Sequence, residues 1–326
     1  LTDTQARSLP QSSGWDTYWR GMQGNPAHAA GGTREPVLED FWQGLFGERI
    51  PAAGCSVLEL ACGSGAVAAI AAKTRPRARL FCSDISPSAL ALARASLPAA
   101  TFAASHGRQL PFPDQAFDLV VSQFGIEYAG LEALPEAART VAPGGCLAVV
   151  LHLREGGIYR DYSRNREVIQ ALRDTGITGR AGEAFAAGFD LVEGRGTEAQ
   201  FHAAEGRFKS AVRALESLFG QYGTSVADGL PGQIYQDIAH MYPRLRAYQR
   251  QDISNWLGAI GAELDAYEGR LSSMLASALG EVEVNDFIAD CELKGLQLRR
   301  REQLLLGAPA SPSGWILVLQ RQCRLR

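Results

Sequence analysis

The stretch VLELACGSG, Val57 to Gly65, decides how the chain is read. Its first half, within CSVLELA (Cys55 to Ala61), is a short apolar run bounded by glycines, the pattern of a strand buried on both faces of a parallel sheet. Its second half is a tight loop in which Gly63 and Gly65 let backbone approach a ligand without a Cβ in the way. The Ala-rich run Gly65 to Arg75 follows as a helix, so the loop ends on a helix N-terminus, where free amides attract electron-rich groups. Gly63-x-Gly65-x-x-Ala68 also fits the dinucleotide fingerprint. Glu59 argues against a pyrophosphate there, because a carboxylate beside the loop repels a dianion and favours a ligand carrying an ammonium group.

Outward from this loop, strands and helices alternate. Ala78 to Asp84 is predicted as the second strand, and Ser86 to Leu97 as a helix with Ser86 as N-cap and Pro87 in its first turn. Ala100 to Ser105, Phe117 to Phe124 and Gly145 to Leu153 read as strands three to five, with a helix at Leu131 to Val141. Repeated strand–helix units imply a parallel sheet covered on both faces. Asp84 ends the second strand about 20 residues past the glycine loop, where a carboxylate accepts both ribose hydroxyl protons of an adenosine ligand.

The rhythm stops after Leu153. Two helical stripes stand out beyond it: Phe201, Phe208, Val212, Leu215 and Phe219, then Trp256, Ile260, Leu264, Tyr267, Leu271, Met274 and Ala278. They read as cap helices packing on each other, with a homodimer seam as the second use of such faces. A helix from Val284, a Lys294-Gly295 break, a strand from Leu296, a loop at Ala308 to Gly314 and a strand at Trp315 to Gln322 end the chain as an antiparallel hairpin. Before the sheet, Pro36 to Phe46 is predicted helical, and Trp15, Tyr18 and Trp19 in SGWDTYWRG mark a short helix that docks on something.

Taken in order, VLELACGSG, FCSDISPSAL, LPFPDQAFDLVVSQF and VAPGGCLAVV resemble the class I S-adenosylmethionine (SAM) dependent methyltransferases. The resemblance implies an α/β fold: a Rossmann-like, mostly parallel seven-stranded sheet ending in an antiparallel hairpin, with an α-helical cap inserted after strand five. The expected domains are an N-terminal helical lid segment (1–48), a SAM-binding domain (49–155 with 281–326) and a helical cap or substrate domain (156–280). It implies that Glu59, Ala61, Gly63 and Gly65 surround the methionine part of SAM, that Asp84 holds the ribose, that Ile85 borders the adenine, and that Gln123 lies near the methionine moiety. His106 and Gly107 stand where relatives often carry an Asp and a small residue for the adenine amino group, so His106 either bonds adenine or faces solvent. Glu127 and Tyr128 are expected to face the transferable methyl, Glu127 as base or substrate-amine anchor, with His152 as a second base candidate. Tyr18 and Trp19 are expected to form a lid, since aromatic faces stabilise sulfonium-like cations.

The function expected is methyl transfer to a small molecule, leaving S-adenosyl-L-homocysteine (SAH). The alternatives are a cyclase or lyase releasing methylthioadenosine from SAM alone, and a non-catalytic SAM-binding protein; an NAD oxidoreductase is the outside reading. A net charge of -3 over 326 residues gives no electrostatic footprint for nucleic acid, and Arg299-Arg300-Arg301 reads as a solvated strand face. The six cysteines have no metal-ligand or redox spacing, so no metal site is expected. No secretory h-region or bilayer-length apolar run is present in the sequence, so neither a membrane nor a nucleic-acid partner is expected and the cytoplasm is the default location.

Overall fold

Ser56–Leu60 is β1, an interior strand of the sheet, and every residue of it is buried. In the computed structural model the described residues are 12–21 and 35–323, so parts of the expected lid segment (1–48) lie outside them. Among the described residues two helices precede β1: α1 (Ser12–Gly21) and α2 (Pro36–Arg49). After it come α3 (Ala66–Thr74), β2 (Arg79–Asp84), α4 (Pro87–Ser96), β3 (Thr101–Ala104) and β4 (Phe117–Gln123). A 3-10 turn (Ile126–Ala129), α5 (Ala133–Arg139) and β5 (Val141–His152) follow. After the helical stretch 157–277, α11 (Glu281–Leu293), β6 (Leu296–Leu306) and β7 (Ser311–Arg321) complete the sheet.

The strand order is β3-β2-β1-β4-β5-β7-β6. β1 to β5 pair in parallel, and β7 runs antiparallel to both β5 and β6. The chain leaves β1 toward β2 and β3 and returns to lay β4 on the other side, so the strand order reverses between β1 and β4. Ligands of open α/β sheets bind at the carboxyl ends of the strands beside such a reversal.

The pleat sorts the two cores. Leu58, Leu60, Val120 and Leu147 point to one face, where Leu134 and Ala137 of α5 and Val284 and Phe287 of α11 cover them. Val57, Leu119, Val121 and Ala148 point to the other, under Trp42 and Phe46 of α2 and Val67 and Ala71 of α3. Burying a side chain such as Phe46, which is fully enclosed, stabilises the fold by about 1.5–3 kcal/mol. Glu59 falls on the α3 side of β1, and that placement gives it its partners.

Two strand limits differ from the sequence expectation. β5 begins at Val141 rather than Gly145, because Val141 pairs with Phe117 ahead of a register shift. β7 begins at Ser311 rather than Trp315: the Ser-Pro-Ser run looks like loop, yet Ser311 and Pro312 pair with Leu306 and Leu305. The arginine triplet lies on β6 with local partners, Arg299 on Gln320, Arg300 on Glu302 and Phe41, and Arg301 on Glu281 and Trp315.

Residues 161–272 form a second compact unit with its own apolar core. It is drawn from α6 (Gly157–Asp174), α7 (Ile177–Val192), α8 (Glu198–Tyr222), α9 (Leu230–Met241) and α10 (Arg250–Ser277). The two stripes read from the sequence face this core: Phe208 and Leu215 on α8, and Ile260, Leu264, Tyr267 and Leu271 on α10. α8 begins with a capping box in which Thr197 and Gln200 satisfy each other's backbone amides. No described helix is long and apolar enough to cross a membrane.

Candidate active site

The loop after β1 is held in a left-handed course, with φ of 48° at Ala61, 52° at Gly63 and 78° at Gly65. A side chain at Gly65 would collide with Leu97 and Ala93, and one at Gly63 with the indole of Trp19. Ala61 carries the same twist with a Cβ, a strain of about 1–2 kcal/mol of the sort that persists at ligand sites.

Two carboxylates brace this loop. Glu59 accepts the amides of Val67 (3.3 Å) and Ala68 (2.8 Å) in the first turn of α3. Asp84 accepts from Gly63 N through one oxygen and from Ser86 N through the other, both at 2.8 Å. Burial pushes the Glu59 carboxyl up to about 8, with the Asp84 charge adding and the two amides opposing. Burial likewise raises Asp84, against the pull of the Ser86, Gly63 and Ile85 amides. Among the described residues neither carboxylate has a cationic side-chain partner. Glu59, expected at the methionine part of a ligand, thus has both oxygens on α3 and would act on a ligand through the loop it shapes.

Helix α1 lies on this edge. Asp16 accepts from Ser86 Oγ and Ser88 N, each at 3.0 Å, and pairs with Arg20, which holds its carboxyl well below the usual range. Ser86 is the N-cap of α4 as read from the sequence, its hydroxyl accepting from Ala89 N. Trp19 rests on Gly63, Tyr18 packs edge-on against Trp15 and Trp19, and Trp15 meets Tyr128 with ring centroids 4.7 Å apart. Sequence reading picked out the aromatics of α1 but missed Asp16, whose position in a Trp-Asp-Thr-Tyr run gives no signal of a partner 70 residues away.

The β4 exit closes against the β1 exit. Gly125 has no room for a Cβ, which would come within 2.7 Å of that of Ala61. Ser122 Oγ donates to Leu60 O and accepts from Ile126 N. The Gln123 side-chain oxygen accepts from the indole of Trp42, a contact between α2 and the site that the sequence did not signal. His106 Nδ1 accepts from Arg108 N, and Gly107 sits beneath the 3-10 turn, where a Cβ would strike Ala129 and Ile126. Burial, with Arg108 adding, lowers the His106 pKa. Ile85 is half-buried just past Asp84.

Glu127 and His152, read from the sequence as separate candidates, are brought together. Glu127 Oε1 accepts from the backbone amide of His152 (3.0 Å) and lies in hydrogen-bond contact with its ring Nδ1 (2.7 Å). Both residues are buried, and among the described residues Glu127 Oε2 has no partner. Phe124 and Tyr128 flank the imidazole, with centroids 4.5 and 5.7 Å away.

A loop lined by two buried carboxyl groups and backbone amides, with no cation on it among the described residues, suits a molecule that brings its own positive charge better than a diphosphate. The loop lies on a seven-stranded sheet closed by the antiparallel β6–β7 pair. Residues 57–145 match the family model of a methyltransferase domain, and this part of the chain is a class I SAM-dependent methyltransferase domain.

The chain is 34% identical over 141 residues to the demethylmenaquinone methyltransferase of Chlorobaculum parvum, covering 43% of this chain and 51% of that protein. It is 40% identical over 105 residues to the trans-aconitate 2-methyltransferase of Methylobacterium nodulans, covering 31% and 40%. It thus spans about half the length, or less, of these curated relatives. Among solved structures it is similar to the N-methyltransferase NodS from Bradyrhizobium japonicum WM9 in complex with SAH, at 20% identity and a TM-score of 0.35, over 43% of this chain and 73% of that one.

Proposed function

We propose that this chain transfers the methyl group of SAM to a small organic acceptor. The observation that carries the reading is the pair of buried carboxylates, Glu59 and Asp84, that shape the glycine loop with no side-chain cation on them among the described residues. Asp84 would hold the ribose, Ile85 with His106 and Gly107 would border the adenine, and Ala61, Gly63, Gly65 and Gln123 would surround the methionine part. Tyr18 and Trp19 of α1 would close over it. When bound, SAM supplies an electrophilic methyl group, and the protein's work is to align a nucleophile with it and to exclude water. Relatives named for small-molecule acceptors support a metabolite-sized substrate. The helical segment 156–280 lies outside the matched stretch and is the part we assign to acceptor choice.

Incubation with methyl-labelled SAM and a panel of small acceptors tests the reading. SAH that forms only when an acceptor is present, with label in the acceptor, is the expected result. Methylthioadenosine released from SAM alone would instead establish cyclase or lyase chemistry, and tight SAM binding without turnover on any acceptor would mark a binding protein.

A further inference from the structure

We infer that the outer edge of β6 is the seam of a homodimer. A second copy adds its own β6 there, antiparallel about a two-fold axis through Arg301, and joins two seven-stranded sheets. This holds or fails independently of the methyltransferase reading.

β6 ends the sheet on one side. It pairs with β7 along one edge, and among the described residues no strand meets the other. The opposite end of the sheet is β3, only four residues long, and such brevity keeps an edge from recruiting another strand. β6 runs eleven residues, Leu296–Leu306, and Gln297, Arg299, Arg300, Glu302, Gln303 and Leu305 along it are exposed. A row of unpaired backbone donors and acceptors of that length is a template for a further strand.

Apolar surface gathers on the elements that flank this edge. Of the six large apolar side chains left exposed among the described residues, four stand here. On one face Val37 of α2 (49% exposed) and Leu305 (50%) line an open groove of about 640 Å³ between α2 and β6. On the other, Val282 (69%) and Leu293 (87%) belong to α11, which Arg301 ties to β6 through Glu281 and Asn285. The helical stripes of α8 and α10, by contrast, are turned into the core of residues 161–272.

The charges choose the occupant and the register. A two-fold axis perpendicular to the sheet keeps each face of the strand on its own side. Arg301 is the middle residue of β6, so an axis there lays the whole strand against its copy. Arg300 then stands opposite Glu302 of the partner subunit, and the symmetry makes that match twice. Within one chain Arg300 already pairs with Glu302 at 2.6 Å and lies over Phe41, so four alternating charges form a ladder on the α2 face. The β6–β7 register is unbroken from Arg300 to Leu304, the segment that carries them. Moving the axis to Glu302 would instead set two carboxylates face to face, which is destabilising. Arg301 meets its own copy at the axis, but its guanidinium is turned back onto Glu281 and Trp315. A strand bearing one sign of charge is repelled by either Arg300 or Glu302, whereas self-pairing matches both. The size also fits: eleven residues span about 37 Å, and a helix layer about 10 Å thick on each face makes the strip about 20 Å wide. That is about 700 Å² per copy, close to the ~800 Å² of a standard stable interface.

Sedimentation equilibrium of the full chain at tens of micromolar tests this. The wild type should have twice the 35.0 kDa mass of one chain. Arg300→Glu and Glu302→Arg each set two pairs of like charges across the axis, and each should weaken the dimer at least tenfold. Mixing the two variants should restore a dimer, because each chain then meets its opposite at both positions. Arg301→Cys, made with Cys323→Ser to remove the exposed native thiol, should cross-link to its own copy under mild oxidation, since opposed Cα atoms stand about 4.5–5.5 Å apart. A monomeric wild type would overturn the inference, as would a dimer that neither reversal weakens or variants that stay monomeric when mixed. If either reversal lacks the circular dichroism spectrum of the wild type, the Arg301→Cys cross-link decides alone, and its absence overturns the seam.

Discussion

Replacing Gly63 by alanine attacks the loop at its tightest point, and its cost can be worked from the structure. The added Cβ would stand 2.5 Å from Cζ2 and 2.8 Å from Cη2 of Trp19, so the indole must retreat by about 1 Å to reach ordinary van der Waals contact. The ring is not free to do so cheaply, because Asp16, one turn earlier on α1, is tied to Ser86 and Ser88. Overpacking of this kind costs about 1–3 kcal/mol. The left-handed φ of 52° adds about 1–2 kcal/mol for a residue with a Cβ. A double-mutant cycle separates the two parts. Equilibrium unfolding of Gly63→Ala, Trp19→Ala and the double variant should show a coupling of about 1–3 kcal/mol, with only the backbone part remaining once Trp19 is gone. An equal cost of Gly63→Ala in both backgrounds would refute the packing of α1 on the glycine loop.

The other predictions concern the two carboxylates. Asp84→Asn keeps the shape but turns an amino group toward one of the amides now bound at 2.8 Å, and it removes the acceptor assigned to the ribose; SAM affinity should fall at least tenfold, about 1.4 kcal/mol, and an unchanged Kd in calorimetry would contradict the assignment. Glu59 sets a pH dependence. Its pKa is raised from 4.5 to about 8 in the folded chain, so the folded state holds the proton more tightly than the unfolded one. Its contribution to stability is complete below about pH 4.5 and is lost as pH rises toward 8, with a ceiling of about 5 kcal/mol. Denaturant midpoints of the ligand-free protein should therefore decline across that window, and Glu59→Gln should flatten the decline; a variant with an undiminished slope would show that another group carries it.

What was legible in the sequence was local. β1 shows as an apolar run stopped by glycines, the α4 cap as Ser86-Pro87, and the two helical stripes as spacings that burial then follows. Where polar residues sit in paired backbone, local reading cut strands short: Ser311 and Pro312 belong to β7 because β6 extends to meet them. The site was half legible. Motif order identified Glu59, Asp84 and the loop, but not that both carboxylates hold backbone, since that depends on α3 and α4 turning their first amides inward. The contacts of Asp16 with α4, of Trp42 with Gln123 and of Glu127 with His152 span 70, 81 and 25 residues. No periodicity or propensity encodes such pairs; they exist only once the sheet order brings the ends of β1, β2, β4 and β5 to one edge.

Calorimetric titration of the folded protein with SAM and with SAH tests the central claim most directly. The account predicts saturable, one-to-one binding of both, weakened at least tenfold in Asp84→Asn and absent for NADH. No heat from either the sulfonium donor or its demethylated product, or equal binding of NADH, would contradict it.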